Sequence, residues 1–458
     1  MPVFRMILQA VGMRRVQQSQ LAPLPSDSAL TVMQQALVPA LPSRDHQVVM
    51  ITGRAGTGKS TLVRKIASLP GINHVVLSYT GVAALNVSGQ TIHSFFQFPP
   101  TVIQPNVVKV LHHRRHIFLN LRRIIIDEMS MVRADVLDAI DLSLRINRKI
   151  DAPFGGVEVL LIGDFLQLPP IVTTDEKRAL EQLGYKSALL PNAHSLQDLD
   201  IKFLELTKIY RQTEPEFIEV LGDIRVGKNK NYAISLINEK CFGPHRRRDT
   251  PIIITPTNPM ADSYNQANLT KLHGNPVTYI GTLQGTFKSD NLPVPIHLTL
   301  KVGARIIMVK NDPSRQWVNG SLGTVTRLQP DAIWVQLDKR RDECEVKRTR
   351  WEKIEYQWDQ TEGRIVPVVT AFYSQFPLKA AWAVTVHKSQ GITLDDARLD
   401  FKTGAFTSGQ LYVALSRVRT LQGLSLAYPL SHADIKIDSE LLALNEEISR
   451  NSVSFHFD

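Results

Sequence analysis

The stretch Val48-Val49-Met50-Ile51-Thr52-Gly53-Arg54-Ala55-Gly56-Thr57-Gly58-Lys59-Ser60-Thr61 decides the fold, because it joins an apolar strand to a helix through a glycine-rich loop. It matches the phosphate-loop pattern, in which backbone N–H groups wrap a triphosphate, the lysine reaches the outer phosphates and the hydroxyl ligates Mg²⁺. The helical stretch that follows ends before Pro70-Gly71, and this context favours a nucleotide site over an ordinary turn. The residues predicted to contact nucleotide here are Gly53, Ala55, Gly56, Thr57, Gly58, Lys59, Ser60 and Thr61.

Length and composition limit the possible classes of protein. The chain has 458 residues, of which 43% are hydrophobic, so two to four domains with real cores are expected. No run of about 18 uncharged apolar residues occurs, which predicts that the chain has no membrane span. The net charge of +10 favours a polyanionic partner.

Cysteine usage and the first residues bear on the compartment. Cys241 and Cys344 lie far apart without His or Cys neighbours at ligand spacing, which argues against a zinc site and a disulfide framework. The first 26 residues contain arginine but no acid before Asp27, as in an organelle transit peptide or a loosely docked terminus. We expect the cytoplasm if the source is bacterial or viral, and the nucleus or mitochondrion if it is eukaryotic.

Strand and helix signals alternate after the phosphate loop, which predicts a parallel sheet. The strand Ile124-Ile125-Ile126 ends in Asp127-Glu128, and strand packing does not call for paired acids there. Beside a phosphate loop, Asp127 would hold Mg²⁺, usually through water, and Glu128 would polarise the attacking water. The alternative is a helix cap for the stretch from Ala134 onward. A further strand, 157–162, leads into a segment whose two prolines would fix Gln167 at the strand end.

Other residues are candidates for base recognition. Gln34 and Gln35 lie on a short predicted helix upstream of the loop, where one of them would read adenine unless both are only solvated. Thr80 falls at the carboxyl end of the strand 74–78, where open α/β folds bind ligands. His93 and Phe95 could stack on nucleic-acid bases, although core packing is the more frequent use of such aromatic residues.

The second half of the chain contains another predicted α/β unit. The strand 252–255 runs into Thr257 and Asn258, and 304–309 is predicted to be a further strand of this unit. Residues 313–377 alternate and are rich in turns, which predicts a small β-barrel insertion. The unit resumes at 383–391 and continues into a predicted helix over 409–418. Its apolar face leaves Arg417 off the packed side, where the ordinary use of this residue would be a salt bridge.

Seven stretches, in this order and at this spacing, resemble the superfamily 1 helicases and, within them, the Pif1-like group. The resemblance covers roughly residues 28 to 430. It rests on these motifs: Gly53 to Ser60, Asp127 to Met131, Pro153 to Gly156, Gly163 to Pro170, Tyr210-Arg211-Gln212, Val386 to Gly391, and Tyr412 to Arg417.

The resemblance implies an α/β fold with two RecA-like phosphate-loop domains. The first would span 28–210 with a short 1B insertion at 93–118, after an extension over 1–27. The second would span 211–458, with the SH3-like 2B barrel at 313–377. ATP would bind with Mg²⁺ in the cleft between the two domains.

Roles carried over from the family assign the chemistry of that cleft. Lys59 and Ser60 would bind phosphates and metal, Asp127 the metal, and Glu128 the water. Gln167 would sense the outer phosphate, and Gly391 would contact nucleotide. Arg211 and Arg417 would act as arginine fingers, meaning arginines that reach the phosphates when the cleft closes. The residues proposed to contact single-stranded DNA are Thr80, His93, Phe95, Thr257, Asn258 and His387.

The resemblance further implies an ATP-driven monomeric motor that moves 5′-to-3′ on single-stranded DNA and unwinds duplex junctions. G-quadruplexes and DNA–RNA hybrids are additional expected substrates, in replication, recombination, repair or telomere maintenance. Two rival readings remain open: a translocase that displaces proteins with little unwinding, and a nucleic-acid binding module with a vestigial ATPase.

Overall fold

The computed structural model describes residues 41, 47–69, 71–243, 251–285, 292–338 and 340–455. The predicted extension 1–27, Gln34 and Gln35 lie outside these residues. Within the described ranges, no helix combines the length and the apolar character needed to cross a membrane.

Seven parallel strands form the first sheet, in the order β21-β6-β1-β5-β4-β2-β3. Buried side chains on both faces explain why the central strands are apolar runs rather than alternating patterns. The strands are β1 (Val48–Gly53), β2 (His74–Ser78), β3 (Gln90–Thr91), β4 (Arg123–Asp127), β5 (Glu158–Gly163), β6 (Ile201–Leu206) and β21 (Val453–Phe455). The helices of this first domain are α1 (Lys59–Ala67), α2 (Gly81–Asn86), α3 (Ile92–Phe96), α4 (Arg115–Asn120), α5 (Ala134–Arg148) and α6 (Thr174–Gln182).

Four parallel strands form the second sheet, in the order β18-β7-β19-β20, and define the second domain. They are β7 (Ile252–Thr255), β18 (Ala383–Thr385), β19 (Ala397–Leu399) and β20 (Leu424–Leu426). Its helices are α7 (Pro215–Val226), α8 (Lys230–Cys241), α9 (Asn258–Lys271) and α10 (Gln410–Leu415). Together the two sheets confirm the predicted α/β class with two RecA-like domains.

Antiparallel strands form the barrel that interrupts the second domain, and they share one buried core. The strands are β8 (Val277–Ile280), β9 (Thr282–Gln284), β10 (His297–Leu300), β11 (Arg305–Met308), β12 (Leu322–Leu328), β13 (Ile333–Leu337), β14 (Glu343–Val346), β15 (Thr349–Asp359), β16 (Arg364–Gln375) and β17 (Leu378–Ala380).

The barrel is larger than its predicted range of 313–377. Tyr279 and Leu298, on β8 and β10, pack in the same core as Tyr373. Strand β11 was predicted to belong to the α/β unit, and this is wrong, because it pairs antiparallel with β12 and β17. A short apolar run has the same appearance in either kind of sheet, so its pairing partner decides which sheet it joins.

The end of the chain returns to the first domain, so the predicted second domain over 211–458 is wrong in its last part. Helix α11 (Ser439–Asn451) buries Leu441 and Ile448 in the core of the first domain. Strand β21 then pairs with β6 at the edge of the first sheet. The first domain is therefore built from two separate parts of the sequence.

The predicted 1B segment, 93–118, packs against the first domain through its apolar side. Phe95 and Phe118 are fully buried and belong to the core of that domain. Tyr356 and Ile365, from the β15–β16 hairpin of the barrel, join the same core. The exposed side carries the basic residues His112, His113, Arg115 and His116.

A buried ion pair links the two domains behind the phosphate loop. Arg225 on α7 donates from Nη2 to Asp164 Oδ1 at 2.8 Å and to Asn445 Oδ1 at 2.9 Å. Burial opposes the charge on Asp164, but Arg225 and then Lys59 hold the pKa of this carboxyl below its ordinary value. The contact therefore joins the second domain, the strand end after β5 and helix α11.

Replacing Arg225 by methionine is expected to lower the free energy of unfolding by about 3–5 kcal/mol, because Asp164 stays buried without its partner. Urea denaturation followed by tryptophan fluorescence measures this loss. Arg178→Ala is the matched control, since Arg178 and Asp175 form an exposed pair at 3.6 Å that is expected to contribute little. Equal midpoints for the two variants would contradict a structural role for the buried pair.

Candidate nucleotide site in the interdomain cleft

The phosphate loop has the backbone that its glycines predict. Gly56 and Gly58 have φ values of +84° and +88°, in the left-handed region that favours glycine. A Cβ on Gly56 would lie 2.6 Å from Arg211 Cβ, so this position also needs glycine for close packing. Helix α1 begins at Lys59 without a side-chain cap. Its first N–H groups and its positive dipole end are therefore directed to the loop.

Lys59 and the two hydroxyl residues lie at the mouth of this loop. The Lys59 ammonium donates to Gly53 O at 2.7 Å and to Arg54 O at 2.9 Å. Burial lowers the pKa of this amine, while the carboxylates of Asp164 and Glu128 oppose the shift. Ser60 and Thr61 are exposed on the first turn of α1. The loop thus presents one cation and two hydroxyls to the same space.

The acid pair lies at the end of β4. Asp127 is 4% exposed, and its Oδ1 accepts from the Glu128 N–H at 3.0 Å. Burial and the neighbouring Glu128 carboxylate raise the pKa of Asp127 to about 7. Glu128 has φ +56°, and its Oε2 is buried without a hydrogen-bond partner. Neither acid caps the helix that begins at Ala134, so this alternative is wrong. Arg133 occupies the N-cap position of that helix, α5.

Gln167 reaches the cleft from the loop after β5. Its side chain is 5% exposed, and Nε2 donates to Asp164 Oδ2 at 3.2 Å. The amide is therefore held by the same carboxylate that Arg225 binds.

The cleft has a volume of about 330 Å³ and is lined by both domains. It brings together most of the residues predicted to bind nucleotide. Two predicted site residues lie behind this lining. Asp127 is next to Glu128, and Gly53 is in the phosphate loop. The lining residues are Ala55, Gly56, Gly58, Lys59, Ser60, Thr61, Glu128, Gln167, Tyr210, Arg211, Gly391, Thr393, Arg417 and Arg419.

Two guanidinium groups, one buried and one half-buried, face the phosphate loop from the other side. Arg417 is 2% exposed and donates to Val413 O at 2.8 Å and to Ser416 Oγ at 2.7 Å. Arg211 donates to Thr393 Oγ1 at 3.1 Å and to Ser416 O at 3.0 Å. Burial, and then the charge of Arg211, lowers the pKa of Arg417 to about 9.

Neither arginine forms an ion pair with an acid among the described residues. The ion pairs found there involve other side chains. The salt bridge considered for Arg417 is therefore not formed in this structure. Two cations that form no ion pair among the described residues, one buried and one half-buried, lie opposite a phosphate loop and form a site for a strongly anionic ligand.

The donor set fits Mg²⁺. This ion commonly takes one or two protein oxygens and completes its octahedron with phosphate oxygens and waters. The Ser60 hydroxyl, the Asp127 carboxylate and the unpartnered Glu128 Oε2 supply suitable oxygens at one edge of the sheet. No cluster of three or more His, Cys, Asp or Glu that could hold a metal unaided occurs in the described part of the chain.

Sequence reasoning missed three residues of the cleft: Tyr210, Thr393 and Arg419. Tyr210 is 47% exposed, and the Lys208 ammonium lies 5.1 Å from its ring centroid. Its aromatic face could stack on a nucleobase. Its position directly before Arg211 in the quoted motif is the signal that could have identified it.

The predicted DNA contacts divide between three places. Thr80, which caps α2, and His93 line a groove of about 460 Å³ beside the barrel residues Lys353 and Ile354. Phe95 was predicted to stack on bases, and this is wrong, because it is fully buried among Phe96, Phe118 and Tyr356.

The remaining predicted DNA contacts follow adjacent strands of the second sheet. Thr257 is the N-cap residue of α9 after β7, and Asn258 is exposed beside it. His387 follows β18, with its ring parallel to that of Phe406 at 6.2 Å. Its Nε2 is buried without a partner, and burial lowers its pKa. All three residues lie at carboxyl ends of parallel strands, where α/β folds bind ligands.

Family models match two parts of the chain. The PIF1-like helicase model matches residues 28–233, and the model of the 2B domain of the DNA helicase Pif1 matches residues 285–328. The second match begins earlier than the predicted barrel, in agreement with the strands that precede residue 313.

Two curated relatives are similar over most of the chain. The ATP-dependent DNA helicase Pif1 of Bdellovibrio bacteriovorus is 32% identical over 403 residues, or 84% of each chain. The ATP-dependent DNA helicase PIF1 of Homo sapiens is 33% identical over 396 residues, which is 82% of this chain. The human protein is longer, and this comparison spans 58% of it.

Solved structures of Bacteroides Pif1 have the same fold. The complex with ADP-AlF4 gives a TM-score of 0.80 at 32% identity, covering 94% of this chain and 98% of the other. The form bound to single-stranded DNA gives a TM-score of 0.64 at 33% identity, covering 94% and 99%.

Proposed function

Because the chain belongs to the Pif1 family of ATP-dependent DNA helicases, we propose that it moves 5′-to-3′ on single-stranded DNA and separates duplexes at junctions. The observation that carries this proposal is that Arg417, which is buried, and Arg211, which is half-buried, lie opposite Lys59 across one cleft and form no ion pair with an acid among the described residues. ATP hydrolysis at a site built from two domains can move one domain against the other.

The site residues take separate roles in this proposal. Lys59 and the N–H groups at the start of α1 bind the outer phosphates. Ser60 and Asp127 hold Mg²⁺, which neutralises phosphate charge when bound. Glu128 orients and polarises the attacking water, for which its unpartnered Oε2 is available. Gln167, fixed by Asp164, contacts the outer phosphate, and Gly391 lies at the opposite lip of the cleft.

The arginines couple chemistry to domain movement. A triphosphate between the domains supplies the negative charge that Arg211 and Arg417 lack, so binding draws the domains together. Loss of the outer phosphate removes this attraction and lets the domains separate. Alternating grip by Thr80 and His93 in one domain, and by Thr257, Asn258 and His387 in the other, moves the strand. Because these contacts would be mainly to the sugar-phosphate backbone of the DNA, DNA binding is salt-dependent and nearly independent of base sequence.

Further properties belong to the same proposal. The similar Bacteroides protein has been solved bound to single-stranded DNA. A further Pif1 structure, 34% identical to this chain, concerns unwinding at forked duplex DNA by two coordinating helicases. For this chain we propose a monomer as the ATPase unit, because Lys59 and both arginines of the cleft belong to the same polypeptide. G-quadruplexes and DNA–RNA hybrids are candidate substrates, in replication, recombination, repair or telomere maintenance. We propose the cytoplasm as the compartment if the source is bacterial or viral, and the nucleus or mitochondrion if it is eukaryotic.

A translocase that displaces proteins with little unwinding is the main rival. A vestigial ATPase is disfavoured, because Lys59, Glu128, Gln167, Arg211 and Arg417 all meet in one cleft.

Strand displacement on tailed duplexes tests the proposal. With ATP and Mg²⁺, the protein is expected to release the strand from a duplex with a 5′ single-stranded tail and to leave the matching 3′-tailed duplex intact. Release from the 3′-tailed duplex alone would contradict the proposed direction. Removal of bound streptavidin from biotinylated single strands, without duplex release, would favour the protein-displacing rival.

A further inference from the structure

The tip of the phosphate loop is bound to the second domain as well as to the first. Ala55 is 6% exposed, and its side chain packs in the core of the second domain. Its backbone N–H donates to the hydroxyl oxygen of Tyr412, on α10, at 2.8 Å. On the other side of the tip, Gly56 O accepts from the Tyr210 N–H at 2.9 Å. The loop that holds the phosphates is therefore fixed directly to the helix that precedes Arg417.

The same helix orients the Arg417 guanidinium. Arg417 Nε donates to the carbonyl oxygen of Val413, the residue directly after Tyr412, at 2.8 Å. Arg417 Nη2 donates to Ser416 Oγ at 2.7 Å, and the Ser416 hydroxyl in turn donates to Val413 O at 2.9 Å. Arg417 is thus held by backbone and hydroxyl groups of one short helical turn, and its Nη1 donates to a carbonyl outside that turn, Ser389 O, at 3.3 Å. Its distance from the phosphate loop depends on where that turn lies.

We propose that Tyr412 is a positioning residue for ATP hydrolysis: its hydroxyl, bonded to the Ala55 N–H, sets the distance between the phosphate loop and the Arg417 guanidinium. Tyr412 is 3% exposed, and it lies behind the lining of the cleft, so its role is exerted through Arg417. Burial, followed by the charge of Asp164, raises the pKa of Tyr412 to about 12, so the phenol stays neutral at working pH. The inference rests on the proposed role of Arg417 as a finger.

Tyr412→Phe removes the hydroxyl and keeps the ring that packs in the second domain. The loss of one hydrogen bond of ordinary strength corresponds to a change of about two- to twelvefold in a rate or equilibrium constant. We expect this loss in kcat for ATP hydrolysis with oligothymidylate present, with a KM for ATP changed by less than about twofold, because a finger contact strengthens in the transition state. Tyr185→Phe is the matched control, since the Tyr185 hydroxyl donates to Asp138 at 2.8 Å within the first domain.

A double-mutant cycle separates positioning from packing. Single-turnover hydrolysis, with protein in excess over ATP, is measured for Tyr412→Phe, Arg417→Ala and the double variant, well below the melting temperature of each. If Tyr412 acts through Arg417, adding Tyr412→Phe to the parent slows its single-turnover hydrolysis. Adding the same change to the Arg417→Ala variant then alters its rate by less than about twofold. The same loss in both backgrounds, or none in the parent, would overturn the inference. If Arg417→Ala itself hydrolyses ATP at the parent rate, the proposed finger fails, and this inference fails with it.

Discussion

Arg417→Ala is expected to slow DNA-stimulated ATP hydrolysis by about 10³- to 10⁵-fold, the range that arginine fingers supply in phosphoryl transfer. The guanidinium is buried without an acidic partner among the described residues, and burial with the nearby Arg211 lowers its pKa to about 9. Such a cation is poorly stabilised until phosphate charge develops beside it. Its contact therefore strengthens most in the transition state, and turnover falls far more than nucleotide affinity.

Steady-state kinetics and the Kd of a fluorescent nucleotide, measured for the same variant, separate these two effects. Arg417→Lys is the matched control, because it retains the charge but loses the planar fork of donors. We expect it to lie between the alanine variant and the parent. Equal losses in turnover and in nucleotide affinity would show instead that Arg417 only maintains the structure of the cleft.

Lys59→Ala is expected to reduce ATP hydrolysis at least about a thousandfold, because the cation at the mouth of the phosphate loop is lost where charge develops. In the structure this ammonium is held by Gly53 O and Arg54 O, so the alanine variant loses loop contacts as well as phosphate contacts. The predicted DNA groove is lined by other residues. Binding to a labelled oligothymidylate should therefore remain within a few fold of the parent.

Lys65→Ala provides the control for Lys59→Ala. Lys65 lies on the same helix, α1, but outside the lining of the cleft. Phosphate release and fluorescence anisotropy, measured side by side, compare the two variants. Hydrolysis that persisted in Lys59→Ala would contradict the assignment of the phosphate loop.

The sequence predicted the parts of the structure that depend on local pattern. The run Val48 to Gly53 is buried on both faces as β1, and the helix predicted from Lys59 begins at that residue. The acids at the end of the 124–126 run lie at the cleft, because a parallel sheet collects its carboxyl ends at one edge. Arg211 and Arg417 were assigned to the site from the family resemblance alone. Their spacing in the chain does not reveal that they lie at the cleft.

The parts that sequence reasoning missed depend on which distant segments pair. Strand β11 has an apolar sequence suited to either sheet, and its antiparallel partners lie up to 74 residues away, as in the pair Ile306 and Ala380. Strand β21 has three residues and joins the first sheet only after the chain has completed the second. The bond between Ala55 and Tyr412 spans 357 residues. Residue patterns specify a face or a period, but they do not specify these partners.

Phe95 shows the same limit for a single side chain. An aromatic residue next to the predicted DNA contact His93 suits base stacking as well as core packing. The structure decides for the core, because Phe118 and Tyr356 surround the ring. One of these two comes from the barrel, more than 250 residues downstream.

In the proposed mechanism, single-stranded DNA and ATP act on one cleft between two moving domains. Its most direct test is the rate of phosphate release from ATP, measured with and without saturating oligothymidylate, at fixed Mg²⁺ and low salt. We expect DNA to raise kcat at least about tenfold, the typical size of coupling between linked sites, and we expect this rise to disappear in Arg417→Ala. A rate that is the same with and without DNA would contradict it.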